Sequence, residues 1–229
     1  MKNFDLGMIV ASDINNLIGY NSSIPWYNKT DLNRFKDLTQ NSVVIMGRKT
    51  YDSLPVGKKT GTKLHGRMKV VLSSHPHPNS DDTKWVTNIN DAIVECNKLH
   101  IKQIYNHFWL IGGATLYKEA LETNLVDYID HTVLNMMYLG NDSMKDFQNK
   151  KVMLMPIPNS YQLISDKQSD EDPILWHRRY SKRPNLHGKS WLPEGINNAA
   201  DIKKAEGEFK PGQIKMITNE NKTMLFGYE

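Results

Sequence analysis

In the stretch IGYNSSIPWYNKTDLNRF, residues 18–35, a single carboxylate, Asp31, stands among Ile24, Trp26, Leu32 and Phe35. An acid in the first turn of a helix is ordinarily favoured there by the helix dipole alone. Here Thr30, a good N-cap, precedes it, Phe35 lies one turn along the same face, and Ile24-Pro25-Trp26 arrives just before. A carboxylate so surrounded is partly desolvated, and its pKa rises unless a cationic or hydrogen-bonding ligand faces it. Asp31 is therefore a candidate anchor for a polar ligand.

Three other places suit phosphate. VVIMGRKTYDSL runs a strand into Gly47, Arg48, Lys49 and Thr50, where backbone N–H groups, a hydroxyl and two cations converge. KVVLSS, 69–74, ends in Ser73 and Ser74, and FWLIGGATLY passes through Gly112 and Gly113, whose missing side chains let a pyrophosphate approach the backbone. Singly, a Gly-Gly pair is a tight turn and a Ser-Ser pair a loop. In an open parallel sheet all three would share one carboxyl edge, where ligands bind. None matches GxGxxG or GxxxxGK[ST], so the standard dinucleotide and nucleoside-triphosphate motifs are not supported. His75-Pro76-His77 has no Cys or carboxylate cluster beside it, so no metal site is expected, and the other histidines read as surface or loop residues.

The elements that must carry these groups alternate. LGMIVA (6–11), TDLNRFKDLT (30–39), VVIMG (43–47), KVVLSS, NDAIVECNKLH, FWLIGG, ATLYKEALE and YIDHTVLN (128–135) interleave apolar runs with amphipathic segments. This predicts an α/β fold: a mainly parallel twisted central sheet with helices on both faces. YQLISDKQ and ILWHRRYS, separated by SDED-Pro173, predict an antiparallel C-terminal hairpin at the sheet edge. Pro55 to Gly66 reads as a polar surface loop, expected to be mobile. The composition changes after Arg183, so the expected domains are 1–183 and a 184–229 extension made of a linker, a short helix at AADIKKAEGEF and a strand–turn–strand at its end.

The 229-residue chain has 29 basic and 25 acidic residues, a balance that implies no nucleic-acid partner. HRRYSKR, 177–183, reads as a solvated strand end. The one cysteine, Cys96, sits at a core-facing helix position, and no apolar run approaches the length of a membrane span. A reducing, cytoplasmic setting is expected.

Taken in order, LGMIVA, LIGYNSSIPW with its acid-bearing helix, VVIMGRKTYDSLP, HGRMKVVLSS and WLIGGATLY resemble dihydrofolate reductase, the NADPH-dependent reductase of folate metabolism, from about Leu6 to Tyr180. The resemblance implies that Asp31 is the acid of the pterin pocket, that Trp26 holds a bridging water, and that Ile24 lies in a loop, 19–27, closing over nicotinamide. It implies a substrate site of Ile9, Val10, Asp31, Leu32, Phe35, Leu54, Leu64, Ile111 and Tyr117, with Arg67 clamping the substrate's α-carboxylate. It implies NADPH contacts at Ala11, Ile18, Gly19, Gly47, Arg48, Lys49, Thr50, Leu72, Ser73, Ser74, Gly112, Gly113, Ala114, Thr115 and Leu116, with Arg48 and Ser74 reading the 2′-phosphate. The threonine that supports the acid in this family is either Thr132 or replaced by Asp130. Thr115 and Lys49 stand where some relatives carry other contacts, the 55–66 loop is longer than in compact relatives, and the extension has no counterpart in the family.

The resemblance thus implies reduction of dihydrofolate. The rivals are a reductase of similar fold acting on another pterin-like or pyrimidine substrate, against which Arg67 and the Asp31 to Phe35 spacing argue, and a non-catalytic assembly protein working through residues 184–229. The expected partner relations are a small-molecule substrate and, through residues 184–229, either a homo-oligomer or an assembly partner.

Overall fold

The computed structural model describes residues 2–20, 23–75, 77–105, 107–138, 152–154, 157–182, 213–217 and 223–227. Two compact units divide the chain, Met1–Arg183 and Pro184–Glu229.

In the first unit, β1 (Leu6–Asp13), β3 (Val43–Gly47), β4 (Met68–Leu72), β5 (Thr83–Val86), β6 (Phe108–Leu110), β7 (Tyr128–Leu134), β9 (Tyr161–Gln168) and β10 (Leu175–Lys182) form one sheet. Its order is β5-β4-β3-β6-β1-β7-β10-β9. All neighbours from β5 to β7 run parallel, while β10 is antiparallel to both β7 and β9. The mainly parallel sheet and its antiparallel hairpin are therefore as the alternating pattern predicts. A separate pair joins β2 (Leu17–Tyr20) to β8 (Val152–Leu154), and together with β5 these short strands escaped the sequence reading.

The period of two sorts β1 between two cores. Leu6, Met8 and Val10 pack with Val43, Ile45, Val70, Phe108 and Leu110 under helices α3 (Ile89–Ile101) and α4 (Ala114–Glu122). Ile9 packs on the opposite face with Val44, Met46, Val71 and Trp109, beside Phe35 and Leu38 of α1 (Lys29–Thr39) and Tyr51 of α2 (Arg48–Ser53). Burial on both faces explains the unbroken apolar runs. Cys96 lies within the first core, where desolvation pushes its thiol far up and keeps it protonated.

Three expectations need correction. Asn28, not Thr30, caps α1: its side chain accepts from the Asp31 N–H at 2.9 Å, and Thr30 lies inside the helix. His131 is neither a surface nor a loop residue but a buried member of β7, with Nε2 2.8 Å from Ser12 Oγ, and burial lowers its pKa to about 4. Arg178 and Arg179 are paired rather than merely solvated, to Asp166 and Asp130. The 55–66 loop is tied down by Lys63, which donates to Tyr51 O at 2.7 Å, and by buried Lys69, which donates to Lys63 O at 3.2 Å and pairs with Asp82.

In the second unit, β11 (Gln213–Ile217) pairs antiparallel with β12 (Thr223–Gly227), from Gln213 opposite Gly227 to Ile217 opposite Thr223. The expected linker, the AADIKKAEGEF helix and the turn between these strands lie outside the described residues.

Gly7 marks the tightest packing in β1. A Cβ there would sit 2.6 Å from the Tyr128 ring and 2.7 Å from the Trp109 ring, which meet edge-on at 5.3 Å. Gly7→Ala is expected to cost roughly 1–3 kcal/mol of stability, as overpacking of a rigid core does. Urea denaturation gives the check; an unchanged midpoint would mean that the two rings yield freely.

Candidate active site

Asp31 occupies the first turn of α1 because Asn28 starts the helix three residues earlier. Asn28 also donates from Nδ2 to Asp172 at 2.7 Å, which ties the start of α1 to the β9–β10 turn. From there the Asp31 carboxylate reaches β7, where the Thr132 hydroxyl hydrogen-bonds to it. Burial raises the Asp31 pKa above the usual carboxylate value; Thr132, Arg34 and His177 oppose that rise, and Asp130 adds to it. Asp130 and Thr132 lie on the same face of β7, two residues apart, so the two alternatives from the sequence are separated. Thr132 touches Asp31, while Asp130 is held by Arg34 and Arg179.

The apolar candidates gather beside this carboxylate. Ile9, Phe35, Leu54, Leu64 and Ile111 belong to one cluster on the α1 side of the sheet. Val10 points to the other face, and Leu32 is exposed. Arg67 lies at the far end of the cluster, its Cζ 5.9 Å from the Phe35 ring centroid. Its guanidinium is oriented by Leu64 O (3.3 Å from Nε), Thr39 Oγ1 (3.1 Å from Nη1) and His65 O (3.3 Å from Nη2). Ile24 is 65% exposed and Trp26 half-buried, while residues 21 and 22 of the 19–27 segment lie outside the described residues. Ile18 and Gly19 are in β2, and Ala11 lies on β1 opposite Thr132.

Two of the turns proposed for phosphate meet directly. The Gly47 N–H donates to Gly112 O at 2.8 Å, and a Cβ on Gly113 would come within 3.2 Å of Thr50 Oγ1. Gly112 has φ +117°, a conformation that suits only glycine, and its peptide bond to Gly113 is cis. The β3–α2 and β6–α4 junctions thus form one backbone-lined cradle that side chains would fill. Ala114, Thr115 and Leu116 begin α4, and the Tyr117 hydroxyl donates to Ile9 O at 2.7 Å, binding α4 to β1. Arg48 and Lys49 are exposed at the start of α2, Arg48 pairing with Asp52 at 2.8 Å. Beyond β4 and Leu72, Ser73 is buried and its hydroxyl accepts from His75 N and contacts His77 Nε2, both at 3.1 Å; Ser74 is exposed. His77 stacks on Trp85 at 3.9 Å, which gives it a packing role. Among the described residues no group of three or more His, Cys, Asp or Glu side chains is placed to hold a metal ion, and no helix is long and apolar enough to cross a membrane.

Arg34 was missed by the sequence reading, as was the pairing of Asp130 with Arg34 and Arg179. The signals were a base three residues after Asp31 on the same helix, and an acid inside a strand otherwise destined for burial.

Comparison with known proteins identifies the family. The family described as dihydrofolate reductase matches residues 5–171. Dihydrofolate reductase type 9 of Escherichia coli is 34% identical over 163 residues, covering 70% of this chain and 82% of the relative. The bifunctional dihydrofolate reductase-thymidylate synthase of Paramecium tetraurelia is 31% identical over 76% of this chain and 37% of its own length. Dihydrofolate reductase of Staphylococcus aureus is 30% identical, over 59% of this chain and 75% of the relative. With its acid-bearing helix, its parallel sheet and a match across most of its length, the chain belongs to the dihydrofolate reductase family.

Proposed function

We propose that this oxidoreductase reduces 7,8-dihydrofolate to 5,6,7,8-tetrahydrofolate with NADPH as cofactor. The observation that carries the proposal is the half-buried Asp31 carboxylate, hydrogen-bonded to Thr132 beside a wall of Ile9, Phe35, Leu54, Leu64 and Ile111. A flat heteroaromatic ring with adjacent N–H donors satisfies both the apolar wall and the acid. Asp31 accepts from the ring amide N–H and 2-amino group. Leu32 borders the pocket, Val10 packs on the opposite face of β1, and Tyr117 holds β1 in place from behind through Ile9 O.

Arg67 clamps the substrate's α-carboxylate. Three of its five N–H groups are occupied by Leu64, Thr39 and His65, which leaves one on each terminal nitrogen for a two-pronged contact. The 19–27 segment, with Ile24 and Trp26, closes the site against bulk water, and Trp26 holds the water through which the pterin nitrogen is protonated.

The cradle of Gly47, Gly112 and Gly113 fits a pyrophosphate, since its floor is backbone and Thr50 hydroxyl. Lys49, Thr50, Ala114, Thr115 and Leu116 hold the phosphates; Leu72, Ser73 and Ser74 hold the adenosine; Ala11, Ile18 and Gly19 border the nicotinamide. When bound, the reduced nicotinamide supplies the hydride for the pterin imine carbon. The protein keeps donor and acceptor aligned and polarises the ring through Asp31.

Asp31→Asn is expected to lower turnover by about 10²–10⁴-fold at neutral pH and by less at acidic pH, where protons from solvent partly replace the lost polarisation. Near-normal turnover at both pH values would remove Asp31 from this role. Arg48→Gln is expected to raise the KM for NADPH by roughly 10–100-fold, the worth of a charge-assisted phosphate contact, and to leave NADH oxidation unchanged. Equal losses with both cofactors would assign the 2′-phosphate to another group. Every residue named here lies in the Met1–Arg183 unit, so we assign Pro184–Glu229 to assembly. Its deletion is expected to change the oligomer size seen by light scattering and to spare kcat and KM; an unchanged size or lost turnover would sink that assignment.

A further inference from the structure

Behind Asp31 lies a second carboxylate that the proposed chemistry does not use. Asp130 is fully buried on β7. Opposite it in register on β10, Arg179 donates to Asp130 Oδ2 from Nε at 3.1 Å and from Nη2 at 2.5 Å. Its other oxygen, Oδ1, pairs with Arg34 of α1. Arg34 borders a cleft of about 840 Å³ between α1 and the β9–β10 hairpin, also lined by Lys167, His177 and Arg178. The guanidinium could lie in that cleft among water, yet its side chain is 22% exposed and turned onto Asp130.

Position on the helix explains what this orientation achieves. Residues three apart on a helix are neighbours, so Arg34 stands beside Asp31 as well as Asp130. Asp31 bears the effect of both groups: Arg34 favours its charged form and Asp130 opposes it. The groups acting on Asp31 are Arg34 from α1, Thr132 and Asp130 from β7, and His177 from β10. Burial, and next Arg34, push His177 below its ordinary value, so at neutral pH it is mostly uncharged. Arg34 is then the full positive charge among these four.

We infer that Arg34, clamped by Asp130 one turn along α1 from Asp31, is a positioning residue that holds positive charge beside the acid of the pterin pocket. The inference rests on the proposal that Asp31 anchors the ring. Arg179 supports it at one remove by pairing with the other oxygen of Asp130.

The test is a ¹³C NMR titration of the aspartate carboxyls in the full-length, ligand-free protein, with the Asp31 signal assigned by its loss in Asp31→Asn. Arg34→Gln is expected to move the Asp31 midpoint to higher pH, because a cation is removed while Asp130 remains. The limb of the kcat/KM profile for dihydrofolate that reports Asp31 should move in the same direction. Arg34→Lys should restore most of the shift, and Arg178→Gln, which breaks a pair with Asp166, should leave the midpoint in place. If Arg34→Gln does not fold, Arg34→Met, with an apolar stem in the same space, takes its place. An unmoved midpoint in the neutral variant, or an equal shift in Arg178→Gln, overturns the inference. A kcat/KM profile that Asp31→Asn leaves unchanged would instead defeat the anchoring role, while the NMR titration still decides whether Arg34 governs the charge of Asp31.

Discussion

A carboxylate taken out of water must be given hydrogen bonds or a cation, and two such groups lie where α1 meets β7. Asp130 receives two arginines and becomes structural. Asp31 receives one hydroxyl from Thr132 and remains above its ordinary pKa, with capacity left for a ligand. The difference is one of supply. An ion cluster satisfied from within stabilises little beyond its own desolvation cost, whereas an acid left short of donors is ready to take them from a substrate.

Everything that delivers Asp31 to this place follows from the sheet. β1 is central, with β6 on one side and β7 on the other, so the chain leaving β1 must cross the carboxyl edge before α1 returns it to β3. That crossing places α1 over the Ile9, Val44, Met46 and Trp109 face and sets its first turn against β7. The antiparallel hairpin then closes the far side: Asp172 holds the cap residue Asn28, and β10 presents His177 and Arg179 on the face that carries Thr132 and Asp130. The glycine cradle at the β3 and β6 ends has the same origin, since adjacent parallel strands end side by side and bring Gly47 onto Gly112.

Much of this was legible. The apolar runs of β1, β3, β4, β6 and β7 announce buried parallel strands, and the β9–β10 hairpin was readable from the turn residues around Pro173. β2, β5 and β8 were not; LIGY and TKWV are short and mix glycine or polar residues into the run, so neither shows an unbroken apolar stretch. The cap at Asn28 was misplaced by two residues because Asn, Thr and Asp are all acceptable cap residues and crowd this stretch. His131 looked like a loop histidine since a neutral, desolvated imidazole bonded to a serine on the neighbouring strand, far away along the chain, leaves no local mark. HRRYSKR looked solvated because the partners of its arginines come from Asp130 and Asp166, distant along the chain.

By itself the sequence determined the period of each strand and helix, the acid beside apolar neighbours, the glycines at two strand ends, and hence the family likeness. These are local properties, carried by residue type and spacing. Only the tertiary structure decided that Thr132 and not Asp130 serves Asp31, that Arg34 and Arg179 share the second acid, and that Gly47 meets Gly112. Those outcomes depend on register across β7 and β10 and on where α1 lands, and a strand with an acid and a threonine on the same face does not declare which of them a helix will meet.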